Sequence, residues 1–180
     1  MNAVVRFFRH RAINGYIKKK KSCVIPDISQ YPTVAVLIDR KQFERRKEIE
    51  RALTDTFLLK RYMFVVCVDT IPRDVWRSEH DFIIEKKDFN FCGILKKEKK
   101  DALVSRQYDL LVDLSKMSDD IMTNHYLMSL INNTFMVTFG NNYQSLYDMV
   151  IDSRNDDNES SQIGVLYRYL SMLIGKKDEK

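Results

Sequence analysis

At 180 residues, 44% of them hydrophobic and 31% charged, the chain has the length and composition of one globular domain, which argues against general disorder. It contains no apolar run near the roughly 20 residues that span a bilayer, no signal-peptide core and only three widely spaced cysteines, so we expect a cytoplasmic chain with reduced thiols. The net charge of +5 is concentrated in residues 1–21, which hold seven of the 30 basic residues and none of the 25 acidic ones.

Residues 1–25 predict a basic amphipathic arm, followed by a single α/β domain over 26–175 and a charged tail over 176–180. The apolar side chains that recur at helical spacing in the arm, and therefore predict its docking face, are Val5, Phe8, Ala12 and Tyr16. We expect that face to dock on the protein's own sheet or on a second subunit, in preference to a membrane or a nucleic acid. The basic side chains predict an association surface, made of Arg6, Arg9, Arg11, Lys18, Lys19, Lys20 and Lys21.

The next part of the chain predicts a βαβ unit. Residues 33–39 and 61–68 are β-branched, apolar runs typical of strands, and an apolar stripe over 43–57 predicts the helix between them. Residues 82–85 predict a short third strand. The loop after this strand contains Phe89 and Phe91, and the single tryptophan, Trp76, precedes the strand. These three aromatic side chains would either form an exposed patch or, as is commoner, close the edge of the core.

A charged helix beginning at 96–106 leads into residues 108–115, Tyr-Asp-Leu-Leu-Val-Asp-Leu-Ser, which predict a central strand covered on both faces. Ser118 predicts the N-cap of the next helix, with Asp119 and Asp120 in its first turn, and the Asn132-Asn133 pair predicts its end. Residues 134–139 and 146–151 predict two more strands, and 163–174 predict a closing helix.

This alternation predicts a Rossmann-like, doubly wound, mostly parallel sheet in the order 3-2-1-4-5-6, or 2-1-3-4-5 if residues 82–85 are not a strand. Either order makes the first strand and strand 108–115 neighbours at the topological switch point, where open α/β sheets bind ligands. The sequence therefore predicts a ligand cleft at this point. Its polar residues would be Asp39, Arg40, Asp113, Ser115 and Lys116.

The sequence contains no motif that would assign a reaction to this cleft. None of the five glycines lies near the end of the first strand, so there is neither a dinucleotide fingerprint nor a phosphate-binding loop, and we expect no cofactor. The three histidines have no metal-ligand spacing, so we expect no metal. Asp39 and Asp113 would suit acid–base chemistry or a divalent cation as a pair, but strand-end aspartates more often cap the following loop or helix.

Several segments resemble a family of small, functionally uncharacterised proteins of Bacteroidota. They are residues 88–93 (Asp-Phe-Asn-Phe-Cys-Gly), 108–115, 133–140 and 147–151, together with the closing helix. The resemblance implies an α/β fold and a bacterial source, and no activity. More distantly, residues 108–115 with the helix and strand that follow are similar to one Rossmann half of heptosyltransferase-type glycosyltransferases, which bind a sugar nucleotide between two such halves.

We therefore predict a non-enzymatic, Rossmann-like domain that acts by association. Its basic N-terminal helix would contact a protein partner, a second copy in a homodimer or an anionic membrane surface. One alternative is a small-ligand binder or degenerate glycosyltransferase-like enzyme that uses the cleft. Another is nucleic-acid binding through the arm, with Phe7, Phe8 and Tyr16 beside the lysines.

Overall fold

The sheet has the predicted order. The computed structural model describes residues 2–20, 23–70, 77–115, 121–140, 145–152 and 158–175. Within them lie six strands: β1 (Thr33–Ile38), β2 (Arg61–Val68), β3 (Asp81–Glu85), β4 (Gln107–Asp113), β5 (Asn132–Phe139) and β6 (Met149–Ile151). All neighbours pair in parallel, in the order β3-β2-β1-β4-β5-β6, which confirms the doubly wound arrangement and its six-stranded version.

Helices cover both faces of this sheet. The described ones are α1 (Ala3–Lys19), α2 (Arg40–Glu44), α3 (Arg46–Thr56), α4 (Lys97–Val104), α5 (Ile121–Met128) and α6 (Glu159–Gly175). Apolar side chains of α2, α3 and α6 form one core with alternate residues of the strands, and those of α1, α4 and α5 form the other. Because β4 lies between the two cores, Leu110 and Leu111 are fully buried, as predicted for the central strand.

The structure differs from the sequence predictions at three element boundaries. The helix predicted over 43–57 begins at Arg40 and is interrupted at Arg45, whose backbone (φ −104°, ψ 16°) separates α2 from α3. The helix predicted to end at Asn132-Asn133 ends at Met128, because Asn132 already pairs with Gln107 as the start of β5. The last strand, predicted over 146–151, is only Met149–Ile151.

The predictions for Trp76, Ser118, Asp119, Asp120 and the tail at 176–180 lie outside the described residues.

Candidate functional site

The switch point of the sheet is where the sequence predicts a ligand cleft. Strands β1 and β4 are neighbours there, with Leu37 in register with Asp113. The pairing extends one residue further, since the backbone N–H of Leu114 donates to the carbonyl oxygen of Leu37 at 3.0 Å. The carboxyl ends of both strands therefore lie side by side, and the polar residues that follow them start from adjacent positions.

Asp39 is a helix cap. Its carboxylate accepts from the backbone N–H of Gln42 at 2.9 Å, and its own N–H donates to Oε1 of Gln42 at 2.8 Å. This reciprocal pair is a capping box that begins α2, and Arg40 is the exposed first residue of that helix. The capping interpretation of Asp39 is confirmed.

Asp113 is a buried carboxylate that links β4 to the segment before β6. Only 3% of the residue is exposed. One oxygen accepts from the N–H and the hydroxyl of Ser115, at 3.0 and 2.5 Å, and the other accepts from the hydroxyl of Tyr147 at 2.6 Å. Burial raises the pKa of Asp113, although the hydrogen bonds from Ser115 and Tyr147 oppose that effect. These donors hold the carboxylate in place.

The hydrogen bonding continues from this carboxylate into α5. The Ser115 hydroxyl, which donates to Asp113, accepts from Nδ2 of Asn124 at 2.8 Å. Burial and the nearby Asp113 raise the pKa of Tyr147. The ring of His125 meets the ring of Tyr147 edge-on, with centroids 6.0 Å apart, and burial lowers the pKa of His125. The segment 121–125 of α5 is thus tied to the end of the central strand.

A second network at the same edge joins α2 to α6. Nε2 of Gln42 donates to the carbonyl oxygen of Leu114 at 2.6 Å and to Glu159 at 3.2 Å. Arg45 forms an ion pair with the buried Glu159 at 2.8 Å. Sequence analysis did not find Gln42, Arg45 or Glu159, and the available signals were only a Gln three residues after the cap and an acid beginning a helix.

Three of the predicted cleft residues, Asp39, Asp113 and Ser115, are therefore adjacent in the fold but turned toward partners in their own chain. Asp39 belongs to the cap of α2, whereas Asp113 and Ser115 belong to the network with Tyr147 and Asn124. Lys116 lies outside the described residues. Over the parts of the chain for which side chains are described, no group of three or more His, Cys, Asp or Glu residues is arranged to hold a metal ion.

The inner face of α1 holds the helix on its own domain. We define it as Arg9, Ile13, Lys20 and the half-buried Tyr16. Ile13 is 1% exposed and Arg9 is 5% exposed. Nε of Arg9 donates to the carbonyl oxygen of Gly93 at 2.8 Å, its Nη1 donates to the Thr123 hydroxyl, and its guanidinium lies 5.0 Å from the centre of the Phe89 ring. Arg9 is thus a structural contact, which corrects its assignment to the association surface.

Lys20 fastens the other end of α1. Its Nζ forms an ion pair with Asp148 at 2.8 Å and donates to the carbonyl oxygen of Leu146 at 2.7 Å. The Tyr16 side chain, one turn earlier, is half-buried and packs against the same core as Ile13, and its burial raises the pKa of its hydroxyl. Lys20 was also predicted on the association surface, and it faces the domain because Asp148 is buried beside it. Lys21 lies outside the described residues.

The outer face of α1 consists of the exposed side chains Val4, Arg6, Phe7, Phe8, His10, Arg11, Lys18 and Lys19. Val4 is 47% exposed, Phe7 60% and Phe8 38%, so Phe8 lies outside the docked side, whereas the other residues of the predicted docking face, Val5, Ala12 and Tyr16, are half-buried. The docked side of the helix is instead centred on Arg9 and Ile13. The first acidic residue of the chain is Asp27, so this face carries cations and aromatic rings without any carboxylate of its own helix.

A further exposed aromatic side chain lies on the loop between β3 and α4. Phe89 anchors this loop as predicted, by packing against the core below α1 and pairing with Leu95. Phe91, for which the sequence favours a place at the edge of the core over an exposed patch, is 90% exposed. The same loop contacts α1, because Gly93 packs against Val5 and accepts from Arg9.

A surface groove of about 310 Å³ lies at the amino-terminal end of β2, away from the switch point. Tyr31, Phe57, Leu58, Tyr62 and His80 line much of it. The Tyr62 hydroxyl donates to Glu50, and the Tyr62 and His80 rings lie 4.2 Å apart. Sequence analysis did not bring these residues together, since they come from separate parts of the chain.

Crossing a membrane requires a helix that is both long and strongly apolar, and none of the helices in the described ranges meets both requirements.

Comparison with known proteins identifies a family. A family model described as a family of unknown function, DUF6913, matches residues 6–173. No curated protein and no solved structure matches the chain.

Proposed function

We propose that the chain, which belongs to the DUF6913 family, is a non-enzymatic association domain whose outer face of α1 binds a negatively charged partner. One observation carries this proposal. The inner face holds α1 on the domain through Arg9, Ile13 and Lys20, while the outer face exposes two phenylalanines among four cations.

The outer face can make both apolar and electrostatic contacts with a partner. Burying a large apolar side chain such as Phe7 or Phe8 is worth about 1.5 to 3 kcal/mol relative to its exposed state. The side chains of Arg6, Arg11, Lys18 and Lys19 attract an anionic partner at longer range. Because α1 is already folded and docked, association does not have to order it first.

The alternative function, a small-ligand binder or glycosyltransferase-like enzyme at the switch point, has less support. Its contacts would be Asp39, Arg40, Asp113, Ser115 and Lys116. The Asp39 carboxylate caps α2, and the carboxylate of Asp113 takes hydrogen bonds from Ser115 and Tyr147. A ligand would have to displace these internal partners, at a cost in stability.

Retention on immobilised heparin, a polyanion, tests the proposed function. One variant replaces Arg6, Arg11, Lys18 and Lys19 by glutamine. The matched control replaces Lys41, Arg51, Lys60 and Arg168, which are also exposed, so both variants lose two arginines and two lysines.

The outer-face variant is expected to elute at clearly lower salt than the control. The reason is that heparin contacts the outer face itself, whereas the two variants have the same net charge. Equal elution of the two variants would overturn the proposal.

A further inference from the structure

We infer that the partner of the outer face of α1 is the surface of an anionic phospholipid bilayer, on which the domain lies peripherally. The inference rests on the proposed function and adds the chemistry of the partner. The first observation behind it is the order of side chains along the helix. Val4, Phe7, Arg11 and Lys18 follow one another at i, i+3, i+7 and i+14, so they form one stripe about 20 Å long.

This stripe is apolar at its start and cationic at its end. Val4 and Phe7 occupy the first two turns, with the Phe8 ring edge-on to Phe7 at 5.5 Å, and Arg11 and Lys18 follow. A lipid surface offers both environments within one contact, since acyl chains lie just beneath a layer of phosphates. Phenylalanines can enter the acyl boundary while the lysines and arginines stay with the headgroups.

A second observation comes from the loop that packs against the same helix. Gly93 of this loop lies against Val5 and is hydrogen-bonded to Arg9, and Phe91, two residues earlier, is 90% exposed. A phenylalanine exposed to this extent can bury its ring in the apolar part of a membrane interface. The loop and α1 are thus in contact, and each of the two segments exposes aromatic side chains.

The shape of the surface favours a bilayer over a nucleic acid. Proteins that bind single strands place aromatic rings in a positively charged groove that follows the backbone. Here the rings and cations lie on the exposed side of one helix, with Phe7 and Phe8 between Arg6 and Arg11 and the two lysines at its far end. A flat lipid surface can contact a convex helix along its length.

Co-sedimentation with vesicles tests this inference. The full chain is mixed with phosphatidylcholine vesicles, with phosphatidylcholine vesicles that contain phosphatidylserine, and separately with a single-stranded oligothymidylate. One variant carries Phe7→Ser and Phe8→Ser and keeps every charge. Its control carries Leu58→Ser and Tyr169→Ser, two side chains that are similarly exposed elsewhere.

We expect binding to the phosphatidylserine vesicles and none to phosphatidylcholine alone. Phe7→Ser/Phe8→Ser should weaken that binding roughly tenfold, because the rings enter the lipid, and should leave elution from heparin unchanged. Neutralising Arg6, Arg11, Lys18 and Lys19 should weaken it roughly a hundredfold or more. The Leu58→Ser/Tyr169→Ser control should bind vesicles like the unmodified chain.

Each contrary result has a separate meaning. Heparin retention through the outer face, without binding to phosphatidylserine vesicles, would overturn the membrane inference and leave the proposed function standing. Tighter binding to the oligothymidylate, weakened by Phe7→Ser/Phe8→Ser, would identify a nucleic acid and overturn it as well. Equal heparin elution of the glutamine variant and its charge-matched control would overturn both proposals.

Discussion

Arg9 donates from its buried Nε to the carbonyl oxygen of Gly93 at 2.8 Å, and this bond joins residues 84 positions apart. The same guanidinium reaches Thr123 on α5 and stacks near the ring of Phe89. A buried charge is stable only where hydrogen bonds replace its hydration, and these partners do so. The basic arm therefore contains two classes of cation, one that holds the helix in place and one that is exposed.

The first prediction concerns Arg9. Replacing it by methionine leaves the Gly93 carbonyl and the Thr123 hydroxyl without their charged donor, so the free energy of unfolding is expected to fall by about 2 to 3 kcal/mol. Urea unfolding followed by circular dichroism measures this change. Arg6→Met, on the exposed side of the same helix, should change stability by less than about 0.5 kcal/mol. Equal effects of the two substitutions would contradict the structural role of Arg9.

The second prediction concerns Gly93. This residue has φ +71°, and a Cβ added to it would lie 2.2 Å from Cγ1 of Val5. Gly93→Ala is expected to lower the free energy of unfolding by about 1 to 3 kcal/mol, from backbone strain and the clash with α1. Gly15→Ala, inside α1 with no atom within 4 Å, should instead stabilise the protein by about 0.5 to 1 kcal/mol.

The clash with Val5 can be tested separately from the strain at Gly93. If the two side chains collide, Val5→Ala combined with Gly93→Ala should cost less than the two single changes added together. Strict additivity in this double-mutant cycle would mean that the loop does not press against α1.

The third prediction concerns the C-terminal end of α1. Lys20→Met removes the ion pair with the buried Asp148 and the hydrogen bond to Leu146, so the last turn of the helix should open more often. Hydrogen exchange is expected to accelerate at residues 16–20. Lys19→Met provides the comparison, because Lys19 is exposed, and exchange rates that match between the two variants would argue that Lys20 does not hold the helix.

The fourth prediction concerns Asp113 and pH. Burial raises the pKa of this carboxyl above its ordinary value of 3.8, so the folded state keeps the proton to higher pH than the unfolded state. The resulting stabilisation is complete below the unfolded pKa and is lost as pH rises through the folded pKa, by at most about 1.4 kcal/mol per pH unit. The unmodified protein should therefore lose stability relative to Asp113→Asn over this window. A difference that does not vary with pH would be contrary evidence.

The fifth prediction has the opposite sign and concerns His125. Burial lowers the pKa of this imidazole below its ordinary value of 6.5, so the unfolded state binds the proton first as pH falls. Its contribution to stability is complete above pH 6.5 and is lost as pH falls through the folded pKa. His125→Gln should remove this acid-side loss in urea unfolding. His10→Gln, an exposed histidine in α1, should leave the acid-side loss unchanged.

Local sequence patterns predicted some of the site correctly. The position of Asp39 after a buried strand, with Gln42 three residues later, is a local pattern, and the capping role that it favours is the one observed. The hydrogen-bond partner of Asp113 on the segment before β6 could not be predicted from a local pattern. Tyr147 is 34 residues away and was predicted within a strand, and nothing in its neighbourhood indicates that its hydroxyl reaches β4.

The sequence by itself determined a doubly wound parallel sheet with residues 108–115 at its centre, and the structure decided for the six-stranded order over the five-stranded one. A strand covered on both faces needs an apolar centre, as β4 has at residues 110–112, and right-handed crossovers leave few ways to connect such strands. Only the tertiary structure decided how α1 lies on the domain. Its helical spacing favoured a face with Phe8, whereas the docked face contains Arg9, because the acceptors that satisfy this cation lie 84 and 114 residues away. The spacing of apolar residues shows which side chains lie on the same side of a helix. It does not show which hydrogen-bond acceptors distant parts of the chain place against that side.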